Sequence, residues 1–231
     1  IEFDPHEVGT CNNLAILLAA ERRFPEAEAA FRRAIDLKPD SYDAYNNLGN
    51  LLKETGRVPQ AEAAYRHVLE LNPGSAEALS NLGVLLFREK RFEEAENALR
   101  RAVELKPAFA DGHNNLGNLL KQTGRLADAE AAYRHALELQ PGYPEARLNL
   151  GLLLLSLGRY VEAWPYHEAR HYPDTKERQA IHPKFAFPQW QGESLQGKTL
   201  VIYTEQGHGD NVQFVRYAPL LKARGLARLT L

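Results

Sequence analysis

The sequence predicts an all-α fold, a superhelical solenoid of about five helical hairpins, followed by a short truncated βαβ segment. The first observation is a period of 34 residues, in which Asn-Leu followed by a small residue begins at Asn13, Asn47, Asn81, Asn115 and Asn149. The second is that prolines keep the same step, at Pro39, Pro73, Pro107 and Pro141. Because one hairpin cannot bury its apolar face alone, this period indicates hairpins stacked on one another.

Each period is predicted to contain two helices, as the second period illustrates. Its apolar residues recur at helical spacing in two runs, Tyr45, Leu48 and Leu52 and then Ala61, Ala64, Tyr65 and Val68. Gly56 separates the runs and tolerates the positive φ with which helices commonly end, and Pro73 stops the second helix. Gly49 and Ala61 are small because the two helices are expected to approach closely beside them.

These recurring positions resemble the tetratricopeptide repeat. Five repeats are expected at about 8–41, 42–75, 76–109, 110–143 and 144–176. The resemblance implies a right-handed superhelix whose first helices line a concave groove. Arg22 and Lys90 depart from the pattern because they replace the glycine between the two helices. The fifth repeat contains Pro165 and lacks the terminal proline, so we expect it to be bent or to serve as a transition.

Polar residues of the first helices are expected to face the groove. If Leu48 and Leu52 pack on the partner helix, the opposite side of the first helix points into the groove. Residues on that side are spaced by four, three and four, and in the second repeat they are Asp43, Asn47, Asn50 and Glu54. The predicted groove residues are Asn13, Asn47, Asn50, Lys53, Asn81, Arg88, Asn115, Asn118, Lys121 and Asn149. Asparagine is a poor helix former, so five in register indicate a task other than helix stability.

Two tasks for these asparagines remain open. A carboxamide donates and accepts hydrogen bonds at once, so a row of them would hold the main chain of an extended peptide. Such an asparagine ladder occurs in the superhelix of O-GlcNAc transferase, which these NLG-containing repeats resemble. The alternative is that each asparagine bonds only to the adjacent repeat and stiffens the stack, and the two roles can coexist. Lys53 and Lys121 would suit a carboxylate, but Glu54, Asp43 and Asp111 weaken the local field, so solvated lysines are the favoured interpretation.

Two short enzyme motifs are present, and neither is expected to carry chemistry. Residues 192–199, GESLQGKT, match a phosphate-binding loop, which requires a following helix, whereas Thr199 begins a β-branched apolar run. Residues 167–171, HEARH, match a zinc peptidase motif, but His167 occupies the bulky position of Phe31 and no third protein ligand is indicated. The predictions are therefore a surface turn and a packed histidine, with no metal ion and no cofactor.

The repeat is lost after residue 176, where we expect a connector over 177–197 and the first βαβ unit of a truncated domain over 198–231. TLVIYT and LARLTL are typical of buried strands, and a glycine-rich loop and a helix lie between them. The runs W-x-G-x-x-L-x-G-K-T-L, E-Q-G-x-G-D and P-L-L-K-x-R-G resemble the start of the glycosyltransferase-like domain of bacterial repeat proteins, similar to heptosyltransferases. The resemblance implies a phosphate-binding loop of Gly207, Gly209, Asp210 and Asn211, unless Asp210 only caps the helix.

Composition excludes several classes of protein. The net charge is −2, from 28 basic and 30 acidic residues without a long run of one sign, so neither nucleic acid nor a membrane surface is an expected partner. The single cysteine, Cys11, excludes an internal disulfide, and no signal peptide or membrane span is visible, so a cytoplasmic location is expected. His67 and His135, at one repeat position, are predicted to be surface helix residues. The chain lacks methionine and begins at Ile1, so we expect it to be a piece of something longer.

The function predicted from these features is a protein-interaction module that binds a protein or peptide in the groove. The first alternative is the substrate-recruiting part of a protein glycosyltransferase, and the second is an oligomerisation scaffold. No catalytic residue is predicted, because the two-domain active site of such a transferase needs the remainder of the domain. A lone βαβ unit has open sheet edges, so pairing with another copy through the C-terminal segment is also expected.

Overall fold

The computed structural model describes residues 7–167, 196, 199–201, 223 and 228–230. The chain divides into two units, Ile1–Tyr172 and Pro173–Leu231. The described part of the first unit consists of ten helices: α1 Val8–Ala20, α2 Phe24–Leu37, α3 Tyr42–Glu54, α4 Val58–Leu71, α5 Ala76–Arg88, α6 Phe92–Leu105, α7 Ala110–Gln122, α8 Leu126–Leu139, α9 Pro144–Ser156 and α10 Tyr160–His167. They form five hairpins of two helices each, so the predicted all-α hairpin solenoid is confirmed.

The two helices of each hairpin are joined by a residue in the left-handed region. Gly56, Gly124 and Gly158 have φ of 76°, 80° and 74°. Arg22 and Lys90 occupy the same position in the first and third hairpins with φ of 61°. The prediction that Gly56 ends its helix is confirmed. Arg22 and Lys90 form the same turn without glycine, which strains their backbone.

Small residues let the two helices of a hairpin touch. A Cβ added to the first helix would lie 2.6 Å from a side-chain carbon of the second helix in three hairpins, at Gly49 against Tyr65, Gly83 against Leu99 and Gly117 against Tyr133. No side chain fits at that distance, so the predicted packing role of Gly49 is confirmed. Ala61 is fully buried beside the same interface. One apolar core then runs through all five hairpins, from Ala15 to Ala163.

A ladder of ion pairs joins consecutive second helices. In each case an arginine that immediately precedes a second helix donates to a glutamate 29 residues earlier, at 2.5–2.7 Å, as Arg57 to Glu28, Arg91 to Glu62, Arg125 to Glu96 and Arg159 to Glu130. We call these four pairs the arginine ladder. The arginines are 36–41% exposed and the glutamates 16–25% exposed, so the ladder lies at the surface of the stack.

The second unit is described only in two short strands and two single residues. β1, Thr199–Val201, pairs in parallel with β2, Arg228–Thr230, with Leu200 opposite Leu229. The loop and most of the helix predicted between them lie outside the described residues, as do Gly207, Gly209, Asp210 and Asn211. Most of the GESLQGKT and HEARH motifs also lies outside. Among the residues described, no helix has both the length and the apolar character that a membrane span requires.

Candidate functional site

The first helices lie on the inside of the curvature of the first unit. Consecutive first helices contact one another directly, α1 with α3, α3 with α5, α5 with α7 and α7 with α9. Consecutive second helices do not approach one another as extensively within the described residues. Stacked hairpins whose first helices are closer together than their second helices must curve toward the first helices. We call the predicted groove residues of α1, α3, α5, α7 and α9 the inner wall.

Four asparagines of the inner wall hold neighbouring first helices together. Each donates from Nδ2 to a side chain 35 residues earlier, at 2.9–3.1 Å, as Asn47 to Asn12, Asn81 to Asn46, Asn115 to Ser80 and Asn149 to Asn114. We call these four bonds the amide ladder. Ser80 and Asn114 are only 3% and 4% exposed, so the bonds satisfy polar groups that water does not reach. The stacking role proposed for these asparagines is therefore present in the structure.

The bonds of the amide ladder also leave each donor asparagine with an unused acceptor. Within the described residues, no hydrogen bond reaches Oδ1 of Asn47, Asn81, Asn115 or Asn149. Because each Nδ2 is committed to the previous helix, the amide cannot rotate without losing that bond. Asn13, in the first repeat, has no preceding first helix among the described residues and is exposed.

Two other asparagines of the inner wall are fixed with the opposite polarity. Asn50 Oδ1 accepts from the hydroxyl of Tyr65 at 2.7 Å, and Asn118 Oδ1 accepts from Tyr133 at 2.8 Å. Lys53 Nζ also donates to Asn50 Oδ1, at 3.2 Å. An ammonium group can only donate, so Oδ1 of Asn50 must face it, and Nδ2 remains as the outward donor. Tyr65 and Asn50 can meet because Gly49 admits the tyrosine ring against α3.

The partnership between these tyrosines and asparagines was missed by sequence reasoning. Its signal is the joint occurrence of the two residue types, since Asn50 stands with Tyr65 and Asn118 with Tyr133, both 15 residues apart. Where the second helix has an aliphatic or phenyl side chain, the first helix has an aliphatic one: Val84 with Leu99 and Ile16 with Phe31. A buried hydroxyl requires an acceptor, and a buried hydrocarbon does not.

Lys53 and Arg88 form a cationic patch on the inner wall. Burial lowers the pKa of the Lys53 ammonium, the positive charge of Arg88 lowers it further, and Glu54 acts in the opposite direction. The Lys53 head group is therefore less solvated than the sequence suggested, because it is half-buried and bonded to Asn50. Arg88 is exposed at the end of α5 and forms no ion pair within the described part of the chain. Lys121 is half-buried on α7.

A shallow depression between α5, α6 and α7 brings together the central residues of the inner wall. It has a volume of about 230 Å³ and is lined by Val84, Phe87, Arg88, Leu99, Asn115 and Asn118. Three of these, Arg88, Asn115 and Asn118, were predicted from the sequence. Val84 and Leu99 give the depression an apolar floor, because this hairpin carries the aliphatic pair in place of asparagine and tyrosine. The structure thus joins an apolar contact surface with oriented amides and one arginine.

Stacked two-helix repeats with a small residue at each helix crossing define the helical solenoid class of proteins. The chain belongs to the tetratricopeptide repeat family, whose model matches residues 12–74, 47–110 and 114–175. The match ends at residue 175, so it gives no support to the resemblance of the C-terminal segment to glycosyltransferases. A curated relative, Protein FlbA of Caulobacter vibrioides, is 40% identical over 60 residues, which is 25% of this chain and 9% of FlbA. The matched part thus spans less than a tenth of that relative.

Solved structures have the same architecture. TTC0263, a thermophilic tetratricopeptide repeat protein of Thermus thermophilus, superimposes with a TM-score of 0.64 at 26% identity, over 73% of this chain and 93% of that one. YrrB, described as a tetratricopeptide repeat protein with an unusual peptide-binding site, has a TM-score of 0.53 at 22% identity, over 74% and 89% of the two chains. The second similarity shows the fold alone. The fold indicates a scaffold for protein–protein interaction.

Proposed function

We propose that this chain binds an extended peptide segment of a partner protein along the inner wall. The observation that carries the proposal is the fixed polarity of the wall amides. Asn47, Asn81 and Asn115 keep an oxygen acceptor after bonding to the previous helix, whereas Asn50 and Asn118 keep a nitrogen donor after bonding to tyrosine. A peptide main chain offers one N–H and one C=O per residue, so it complements a surface that presents both groups in set positions.

Preorganisation favours this use of the wall. A carboxamide that is free to rotate loses conformational freedom when it binds a ligand, and immobilised side chains cost about 0.5–1.5 kcal/mol each. Here the stack and the tyrosines hold the amides before a ligand arrives. The asparagine ladder in this proposal therefore has both of the roles that the sequence left open, because the bonds that brace the stack also orient the amides.

The cationic patch and the depression favour a ligand of particular chemistry. Lys53 is partly desolvated and lies near Arg88, so an acidic side chain or a terminal carboxylate at this point would relieve the repulsion between the two cations. The apolar floor formed by Val84 and Leu99 suits one aliphatic or aromatic side chain. The favoured ligand is an extended peptide with a carboxylate and a neighbouring apolar residue. YrrB, which has the same fold, is itself a tetratricopeptide repeat protein with a peptide-binding site.

Selection from a library of displayed seven-residue peptides would test the proposal on the full 231-residue chain. The informative variant is Asn118→Asp, which removes the outward N–H donors but keeps an oxygen acceptor for Tyr133. Selected peptides should bind the variant at least about fivefold more weakly by fluorescence anisotropy, as expected for the loss of a hydrogen bond of about 1 kcal/mol. This variant preserves the amide ladder, whereas replacement of Asn47, Asn81 and Asn115 by alanine would weaken the stack as well.

Asn97→Asp provides the matched control, because Asn97 is an exposed asparagine of the second helix α6. It makes the same chemical change away from the inner wall and should leave the affinity unchanged. Enrichment of aspartate, glutamate or C-terminal carboxylates among the selected peptides supports the role of the cationic patch. Equal binding by the wild type, Asn118→Asp and Asn97→Asp, or the absence of any selected peptide, rejects the inner wall as a peptide site.

A second candidate function is the recruitment of a protein substrate for a glycosyltransferase. The observation that favours it is the parallel pairing of β1 with β2, since parallel strands need a crossover connection, as in a glycosyltransferase-like βαβ unit. In this candidate, Gly207, Gly209, Asp210 and Asn211 contact the phosphates of a sugar nucleotide. Titration of the chain with uridine diphosphate, monitored by calorimetry, tests it. Heat that is unchanged by the Asp210→Ala substitution counts against the loop.

The third candidate is an oligomerisation scaffold that self-associates through the C-terminal segment. Two parallel strands expose unpaired edges unless another element covers them, and this favours the candidate. Light scattering of the chain with and without residues 198–231 distinguishes the cases. The same monomeric mass in both samples removes self-association through that segment.

A further inference from the structure

Two histidines of the fourth hairpin lie against each other outside the inner wall. His113 is on α7 and His135 is on α8, their ring centroids are 4.4 Å apart, and their planes are at 83°. Both rings line a surface cavity of about 400 Å³, together with Arg100, Arg125 and Asp128. None of these residues belongs to the amide ladder or to the cationic patch, so the peptide site does not account for the pair.

The hydrogen bonds of the two rings fix where their lone pairs are. His113 Nε2 lies 2.9 Å from the carbonyl oxygen of Pro107, and His135 Nδ1 lies 3.0 Å from Oε2 of Glu138. Both oxygens can only accept, so Nε2 of His113 and Nδ1 of His135 carry the hydrogens. Nδ1 of His113 and Nε2 of His135 therefore have lone pairs when the rings are neutral. Burial, more than the nearby His135, lowers the pKa of His113, which favours the neutral ring.

The spacing of the rings is slightly shorter than that of two ligands on one metal ion. An imidazole nitrogen binds zinc at about 2.0–2.1 Å, which puts the ring centroid about 3.2 Å from the ion, so two adjacent ligands have centroids about 4.5–5.3 Å apart. The observed separation is 4.4 Å, just below this range, and the planes are at 83°, so the rings must part slightly and tilt before both lone pairs can reach one ion. Each ring also donates its other N–H to an oxygen acceptor, the arrangement that commonly orients metal-bound histidine.

The second hairpin shows that ring packing alone does not require two histidines. At the equivalent positions Tyr45 and His67 are also 4.4 Å apart with an interplanar angle of 65°, and His67 Nδ1 has the same contact to a glutamate, Glu70, at 3.1 Å. A tyrosine ring thus fills the position of His113 and packs against the histidine equally well. What His113 adds is a second nitrogen ligand.

We propose that His113 and His135 form a two-histidine site for a divalent transition-metal ion, with water as the remaining ligands. Imidazole nitrogen suits Zn²⁺, Ni²⁺ and Cu²⁺. No cluster of three or more histidine, cysteine, aspartate or glutamate ligands occurs in the described part of the chain, so water from the open cavity completes the coordination. Such an ion cross-links α7 to α8 and stabilises the folded state in proportion to its occupancy.

The charges around the site set a moderate affinity. Arg100 and Arg125 line the same cavity and oppose a cation, but both are paired with Glu96, and Arg125 is also paired with Asp128. Glu138 lies beside His135 and favours a cation. Affinity should follow the general order for divalent ions, with Cu²⁺ tighter than Ni²⁺ and Zn²⁺.

Calorimetric titration of the chelator-treated full chain with ZnCl₂ and NiCl₂ tests the site. All proteins should carry His171→Gln, because His167 and His171 of the HEARH motif would otherwise add a second pair of imidazoles. The key variant is His113→Tyr, which reproduces the tyrosine and histidine packing of the second hairpin and should therefore fold normally. We expect it to bind the ion at least tenfold more weakly and to lose the rise in melting temperature that the ion gives the parent.

The reverse substitution provides a gain-of-site control. Tyr45→His should create the same pair beside His67 and raise the number of tightly bound ions by one. Binding by the parent that is no tighter than binding by His113→Tyr overturns the proposal, and so does an unchanged stoichiometry in Tyr45→His. Binding at other histidines of the chain is common to all of these proteins and cancels in the comparison.

Discussion

The amide ladder and the arginine ladder both hold consecutive hairpins together, the first on the first helices and the second on the second helices. Both join one hairpin to the next, the first through neutral side chains 35 residues apart on the first helices and the second through ion pairs 29 residues apart on the second helices. The amide bonds join neutral groups, whereas the ion pairs join charged groups and leave their arginines 36–41% exposed. Neutral buried bonds are insensitive to salt and exposed ion pairs are not.

This difference explains how the inner wall can keep charge for a ligand. The first helices are joined without consuming a charged group, so Lys53 and Arg88 remain as cations on the wall. On the other side each arginine is ion-paired with a glutamate of the preceding second helix and also donates a hydrogen bond to an acidic or amide side chain three residues further on.

Replacement of Tyr133 by alanine should produce the largest loss. Its ring is fully buried against Gly117, and truncation leaves a cavity in the core that α8 shares with the inner wall. We expect the free energy of unfolding to fall by about 3–5 kcal/mol, measured by urea denaturation. Tyr133→Phe is the matched control, because it keeps the ring and removes only the hydroxyl bonded to Asn118, at a cost of about 1 kcal/mol.

Removal of one rung of the amide ladder should have an intermediate effect. Asn149→Ala leaves Oδ1 of Asn114, which is 4% exposed, without its donor. An unsatisfied buried acceptor costs about 1–3 kcal/mol, and the loss should be the same at low and at high salt. In a double-mutant cycle with Asn114→Ala, the second substitution should restore part of the loss. Additive effects of the two substitutions would contradict the coupling that the 2.9 Å bond implies.

The turn between the two helices should show opposite responses at two equivalent positions. Gly124 has φ of 80° and open space around its Cα, so Gly124→Ala adds only backbone strain and should destabilise the protein by about 1–2 kcal/mol. Lys90 adopts the same conformation with φ of 61°, so Lys90→Gly should stabilise it by up to about 1 kcal/mol. Thermal denaturation of both variants checks the signs. Destabilisation by both would mean that the Lys90 side chain contributes more than its backbone strain costs.

The fold was predictable because it depends on the spacing of residues along the sequence. The hydrogen-bond partners in the site were not predictable, because they depend on how each helix is rotated against its neighbours. The period, the left-handed Gly56 and the close approach at Gly49 all follow from residue type and position. The partner of Asn47 could not be found in the same way, since it depends on how far α3 is rotated against α1. The sequence left bracing and peptide contact open for this reason.

Two side chains of the second hairpin show the same limit. Lys53 was expected to be solvated from the charges nearby in sequence, but Asn50 and burial decide its state. His67 lies at the surface as expected, with 38% of its side chain exposed, but its edge-to-face contact with Tyr45 was not predicted, because it comes from the packing of α3 on α4. In both cases the deciding neighbour belongs to a face or a helix whose orientation only the folded chain fixes.

Removal of one rung of the arginine ladder should have the smallest effect. Arg91→Gln removes the pair with Glu62 and should cause a small fall in the denaturant midpoint at low salt that disappears in about 1 M NaCl, where the screening length is about 3 Å. Arg101→Gln is the control, since the ion pair of Arg101 among the described residues stays within α6, with Glu104 at 3.4 Å. A fall as large as that caused by Asn149→Ala, or one that persists in high salt, would contradict the division between the two ladders.

The pH dependence of stability at acid pH provides a second test of the Arg91→Gln prediction. Burial raises the pKa of the Glu62 carboxyl, but hydrogen bonds from Arg66 and Arg91 outweigh burial and leave it below the ordinary value. A carboxyl whose pKa is lowered by folding stabilises the protein above its unfolded pKa, and this contribution is lost as the pH falls through the folded value. The difference in midpoint between the wild type and Arg91→Gln should therefore be constant near neutral pH and shrink below the ordinary pKa of glutamate. The bond removed by Asn149→Ala joins two neutral amides, so the loss that it causes should not shrink in the same range.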